Sequence, residues 1–143
     1  MIAARPRASG KRLRAVPAVR FRVDFGRAQA IGPGKIALLE KIASSGSLSQ
    51  AARELGMSYR RAWLLLESLN GSFAEPVAVT AKGGRGGGGA TLTPFGHSLI
   101  RTYRDFDARL QARAARAFRA ILRQVRSARA PARRAPVLRL KDR

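Results

Sequence analysis

Cysteine is absent from the 143 residues, which excludes a disulfide framework and any thiolate metal site. Histidine occurs once, at His97, without the company that a metal centre needs. Carboxylates are scarce too, with eight Asp and Glu against 29 Lys and Arg. Asp105 and Asp107 are spaced i, i+2 and diverge on a helix, a poor geometry for paired acid–base work. No nucleophile–base arrangement is present, so the chain does not read as an enzyme: no catalytic residue is assigned, and neither a cofactor nor a metal is expected. Long apolar runs are missing as well. None approaches the roughly 18–20 residues that span a bilayer. The basic N-terminus lacks the apolar core of a secretory signal, and Pro6, Pro17 and weak amphipathicity argue against a transit peptide. A bacterial cytoplasmic, nucleoid-associated protein without membrane contact is the expectation.

What the chain does have is positive charge. A net charge of +21 and a pI near 12.0 favour polyanions, nucleic acid first and an anionic membrane surface second. Arginine far outnumbers lysine and alanine is abundant, so codon usage in a GC-rich genome accounts for part of this. Residues 1–22 carry seven basic side chains and no acid; residues 123–143 carry eight and a single acid, Asp142. Such runs repel themselves and resist folding. The expected organisation is a basic disordered arm (1–19), a DNA-binding domain (20–93), a long C-terminal helix (94–126) and a basic disordered tail (127–143).

Hydrophobic spacing sketches the elements. Val19, Phe21, Val23 and Phe25 alternate with Arg20, Arg22 and Asp24, predicting a half-buried strand. Ile36, Leu39, Ile42 and Ala43 share a helical face that ends at Gly46. Ser47 and Gln50 form a Ser-x-x-Gln capping box for the next helix, whose Leu48, Ala51, Ala52 and Leu55 face inward. The paired alanines allow two helix backbones to cross closely. Gly56 ends that helix, Met57 is the expected buried turn residue, and Ser58 caps a third helix with Ala62, Leu65, Leu66 and Leu69 as its buried stripe. Residues 77–80 and 90–93 flank the glycine run Gly83–Gly89, predicting a β-hairpin with a long flexible tip. Thr93 and Pro94 then open a helix predicted to run to residue 126, roughly 50 Å long. Its apolar positions Leu99, Tyr103, Phe106, Leu110, Ala114, Ala117, Ile121 and Val125 are spaced as in a helix–helix seam, so the distal half is expected to pair with a second copy. The alternative is an exposed amphipathic helix that frays.

Two helices joined by a tight turn suit double-stranded DNA, because the major groove admits one α-helix whose N-terminal end meets base edges. Here that end is Ser58-Tyr59-Arg60-Arg61. Arg60 can reach guanine in a bidentate contact, Arg61 is better placed for phosphate, and Tyr59 suits a thymine methyl or a phosphate. Ser47, Ser49, Gln50 and Arg53 on the preceding helix can clamp backbone. Trp63 is read as partial core, with a DNA contact as the alternative. Lys82 and Arg85 at the glycine tip suit close approach to phosphates or the minor groove; a merely floppy loop is the competing reading. The match of Gly84, Gly86 and Gly89 to Gly-x-Gly-x-x-Gly is weak, because a strand-like segment follows rather than the helix a dinucleotide site requires.

The stretch IGPGKIALLEKIASSGSLSQAARELGMSYRRAWLLLESLN, followed by TAKGGRGGGGATLTPFG, resembles the N-terminal domain of the ModE family, molybdate-responsive bacterial transcription regulators. Met57-Ser58-Tyr59, Ala62-Trp63 and the glycine tip carry the resemblance, which covers roughly residues 20–126. The LysR-type winged helix is a looser relative. The resemblance implies a mainly α winged helix–turn–helix fold with a small β-hairpin wing, a homodimer through the long C-terminal helix, and operator binding. Family members that sense molybdate carry downstream Mop domains; no such barrel follows here, so molybdate is not expected to bind this chain alone. A sequence-specific regulator on an inverted-repeat operator is therefore the leading expectation. A nucleoid-type architectural DNA-binding protein, using basic tails and little base readout, is the alternative.

Overall fold

The computed structural model describes residues 15–81 and 89–126. The basic arm up to residue 14, the tail from residue 127 and the wing tip with Lys82 and Arg85 lie outside the described residues. A short antiparallel hairpin comes first: β1 (Val23–Asp24) pairs with β2 (Ala30–Ile31) in the register Val23↔Ile31 and Asp24↔Ala30. Alternation predicts a strand over residues 19–25, but only two residues pair. The partner sets the limit, because Gly32 and Pro33 turn the chain into a helix directly after Ile31. Phe21 and Val23 are still half-buried, with Arg20, Arg22 and Asp24 exposed between them. Phe25 departs from the pattern and is exposed, its ring edge-on to Phe73 at 5.7 Å.

Helix α1 (Pro33–Ser45) is the centre of the domain and buries Ile36, Leu38, Leu39 and Ile42. Neighbours on several sides extend its burial to Leu38, whereas Ala43, expected inside, lies exposed in the last turn. Gly46 stops the helix in the left-handed region (φ 67°), and its amide donates to the Ile42 carbonyl at 2.8 Å. Helix α2 (Leu48–Glu54) buries Leu48, Ala51 and Ala52; helix α3 (Tyr59–Ser72) buries Ala62, Leu66 and Leu69. Between them Gly56 takes φ 65°, which a side chain would resist, and Met57 packs half-buried against the core rather than inside it.

The wing follows. Strand β3 (Ala78–Thr80) pairs antiparallel with β4 (Ala90–Leu92), in the register Ala78↔Leu92 and Thr80↔Ala90. It is stitched to the α1–α2 turn, where the Ala90 amide donates to the Gly46 carbonyl at 3.0 Å and Ser47 bridges Gly89. Helix α4 (Pro94–Ala117) starts on Thr93, whose Oγ1 accepts from the Gly96 amide at 3.0 Å. Gly96 lies against the backbone of Val77 so closely that an added Cβ would sit 2.1 Å from the Val77 carbonyl oxygen.

A continuous helix to residue 126 is not observed. Helix α4 ends at Ala117, Phe118 leaves helical geometry (φ −98°, ψ 8°), and a short α5 (Arg119–Leu122) continues. Hydrogen bonding carries across this joint, from the Phe118 amide to Ala114 and from the Leu122 amide to Phe118. At about 1.5 Å per residue, α4 is near 36 Å long. Its apolar positions divide. Leu99 and Tyr103, expected in a seam between copies, are buried in this chain's own core, because the β1–β2 end covers that part of the helix. Tyr103 stacks on Phe21 at 4.7 Å and donates its hydroxyl to the Phe21 carbonyl at 3.2 Å. Ala114 is buried too, and Leu110 is half-buried. Phe106, Ala117, Ile121 and Val125 are exposed. The whole is a mainly α winged helix–turn–helix with a small hairpin wing and a long C-terminal helix.

Candidate nucleic-acid interface

Two serines build the helix–turn–helix locally. Ser47 Oγ accepts from the Gln50 amide at 3.2 Å, and Ser58 Oγ accepts from the Arg61 amide at 3.1 Å. Each hydroxyl satisfies one otherwise orphan amide at its helix start and keeps its own proton to donate outward. The capping box at Ser47 forms only in this half. The Gln50 side chain points along the surface instead, accepting from Arg53 Nη2 at 2.8 Å and donating to Glu54 at 3.2 Å. Glu54 also meets Lys41 at 3.4 Å. The Gln50 amide, with Lys41 beside it, holds the Glu54 carboxyl below the usual carboxylate range. Ser49 is half-buried in the first turn of α2, and Arg53 is exposed beyond it.

Helix α3 presents the free face. Its buried stripe is complete with Ala62, Leu66 and Leu69, so Arg60, Leu64 and Glu67 project on the opposite side, with Tyr59 and Trp63 on one flank and Arg61 on the other. Tyr59, Arg60 and Arg61 are exposed, and neither arginine has a salt-bridge partner among the described residues. Trp63 corrects the sequence reading: it is 43% exposed and Leu64 48%, not core. The stripe is already filled by smaller residues, which leaves the indole outside.

Asn70 escaped the sequence reading. Its Oδ1 accepts from the amides of Val77 (2.8 Å) and Ala78 (3.3 Å), and its Nδ2 donates to the Ala78 carbonyl at 3.0 Å. The C-terminal end of α3 thus grips the root of the wing and fixes one against the other. The available signal was a polar residue one turn beyond buried Leu66, on a side of the helix where an amide needs partners. Of the sequence-predicted residues, Ser47, Ser49, Gln50, Arg53, Ser58, Tyr59, Arg60 and Arg61 fall on α2, α3 and their caps.

Among the described residues, no group of three or more His, Asp and Glu can hold a metal ion, and no helix is long and apolar enough to cross a membrane.

Residues 34–97 match the family described as bacterial regulatory helix-turn-helix protein, lysR family. The chain is 46% identical over 78 residues to molybdenum-pterin-binding protein MopB of Rhodobacter capsulatus, covering 54% of this chain and 29% of that protein. It is 44% identical over 82 residues to the DNA-binding transcriptional dual regulator ModE of Escherichia coli, covering 57% and 31%. A molybdenum transport protein ModE of Azotobacter vinelandii is 35% identical over 92 residues, covering 64% and 34%. The chain thus spans about a third of the length of these relatives.

Proposed function

We propose that residues 34–97, which match the lysR-family helix–turn–helix, form a regulatory domain of the ModE kind, and that the chain is a DNA-binding transcription regulator acting as a homodimer on an inverted-repeat operator. One observation carries the proposal. The N-terminal turn of α3 holds Tyr59, Arg60 and Arg61 free of the core in a chain of net charge +21. Such a turn enters the major groove, where an arginine fork matches the guanine O6 and N7 acceptors. Ser47 at the start of α2, with Gln50 and Arg53 on it, then faces the phosphates beside the groove.

Support for the dimer comes from the far side. An apolar groove of about 490 Å³ runs between the β1–β2 hairpin and α4, lined by Val23, Phe25, Ile31 and Phe106 among others. Phe118, Ile121 and Val125, at and after the start of α5, are exposed as well. A two-fold pair using this surface sets two α3 helices one DNA turn or a multiple apart, about 34–36 Å per turn.

The test is selection of duplexes from a random library, followed by affinity at fixed salt. Inverted repeats should emerge. Arg60→Ala should cost about 1–3 kcal/mol on the selected duplex and little on random DNA. Equal losses on both would favour an architectural binder with no base readout.

A further inference from the structure

The outer face of α3 holds more than cations. Tyr59, Trp63 and Leu64 are 50%, 43% and 48% exposed, on a helix whose core contacts are already made by Ala62, Leu66 and Leu69. Three large apolar side chains on two turns of one helix are costly to leave in water, so the surface is built for an occupant. Arg60 and Arg61 flank the apolar side chains, and Arg53 is exposed on the neighbouring helix. With Glu67 the one carboxylate on this helix, the rim is mainly cationic and fits a polyanion. On the floor of the major groove, the apolar group a base edge offers is the thymine C5-methyl.

We propose that Trp63 and Leu64 are specificity residues that read thymine methyl groups in the major groove. This rests on the DNA-binding function proposed above and adds what the helix reads beyond its first turn. Leu64 is one turn from Arg60 on the same outward row, about 6 Å along the helix axis. Successive base pairs are 3.4 Å apart. The thymines read by Trp63 and Leu64 therefore lie within about two base pairs of the base contacted by Arg60.

The experiment uses the full chain and the duplex that it enriches from a random library. Each thymine is replaced in turn by deoxyuridine, which removes the methyl and leaves the hydrogen-bonding edge unchanged. At one or two positions per half-site, affinity should fall roughly fourfold for each methyl removed. Trp63→Ala and Leu64→Ala should each bind the thymine and deoxyuridine duplexes equally at its own position. Arg60→Ala should retain the full difference. Thermal melting of each variant checks the fold, and Leu64→Ala provides the decisive comparison if loss of the indole lowers stability.

Methyl sensitivity that persists in both apolar variants would assign the methyls to other residues and overturn the inference. So would selected DNA with no methyl-sensitive position, which leaves the regulator function standing. Enrichment of no sequence at all would overturn both. Self-association of the unmodified chain that Leu64→Ala abolishes, with DNA affinity unchanged, would show that the face is a protein interface instead.

Discussion

Removing the Asn70 side chain tests how the wing is fixed to α3. In the β3–β4 ladder, Val77 accepts from the Thr93 amide at 3.0 Å and the Ala81 amide donates to Gly89 at 2.8 Å. Bonding in an antiparallel pair alternates, so the N–H and C=O of Ala78 point away from β4. Asn70 meets both of them and the Val77 amide as well. Val77 and Ala78 are buried, so Asn70→Ala strands two amides and a carbonyl with little access to water. An unsatisfied buried backbone group costs about 1–3 kcal/mol. Water entering beside half-buried residue 70 recovers part of that, which leaves a loss of about 2–4 kcal/mol. At roughly 4–8 °C per kcal/mol for a domain near 100 residues, melting should fall by on the order of 10 °C or more. Asn70→Asp should be intermediate, since it keeps the acceptor for both amides but sets a carboxylate against the Ala78 carbonyl. Urea denaturation of the three proteins measures the series. A loss for Asn70→Ala below about 0.5 kcal/mol would refute the clamp.

Other perturbations probe separate links. Gly96→Ala places a Cβ against backbone that cannot swing aside, so it should destabilise by about 1–3 kcal/mol or more, read by the same denaturation. Arg61→Ala should weaken selected and random duplexes alike and reduce the slope of log affinity against log salt by about 0.9, the share of one phosphate contact. Ile121→Glu changes an exposed residue and should leave the helical circular dichroism unaltered while sedimentation shifts to monomer and operator affinity drops.

Features encoded locally were legible in the sequence. Gly46, Ser47, Gly56, Ser58 and Thr93 each act on the backbone within a few residues, and each occupies the turn or cap that its chemistry suggests. Features that depend on distant partners were not. The spacing of Leu99, Tyr103, Phe106 and Ile121 reports a helix with an apolar side, but not which neighbour covers it. The first two turned out to serve the chain's own core, against Phe21. Asn70 and Gly96 meet Val77 only after the wing has folded back, so their partner is not legible from their neighbours in sequence. Trp63 was misjudged because a large apolar residue beside a buried stripe is usually drawn in, and here alanine and leucine had already filled the space.

That filling bears on function as well as packing. The buried core is aliphatic apart from Tyr103; the other described aromatics sit partly or wholly at the surface. Small residues at Ala51, Ala52, Ala62 and Gly96 bring the elements close without large side chains between them. Tyr59 and Trp63 are thereby left on the outside of α3, and Phe25 and Phe106 on the β1–α4 side. Charge is partitioned in the same way. Asp24 pairs with Arg22 on β1, and Glu40 of α1 and Asp107 of α4 pair with Arg104, while Glu54 of α2 pairs with Lys41; none of these pairs lies on α3. Arg60 and Arg61 have no salt-bridge partner among the described residues, and Glu67 is the carboxylate that shares their helix. An acid facing the groove repels phosphate and is tolerable only where it accepts from a base edge, as from a cytosine amino group. The row Arg60, Leu64, Glu67 thus offers donor, apolar contact and acceptor in order along one helix face, the three kinds of group needed to tell base pairs apart.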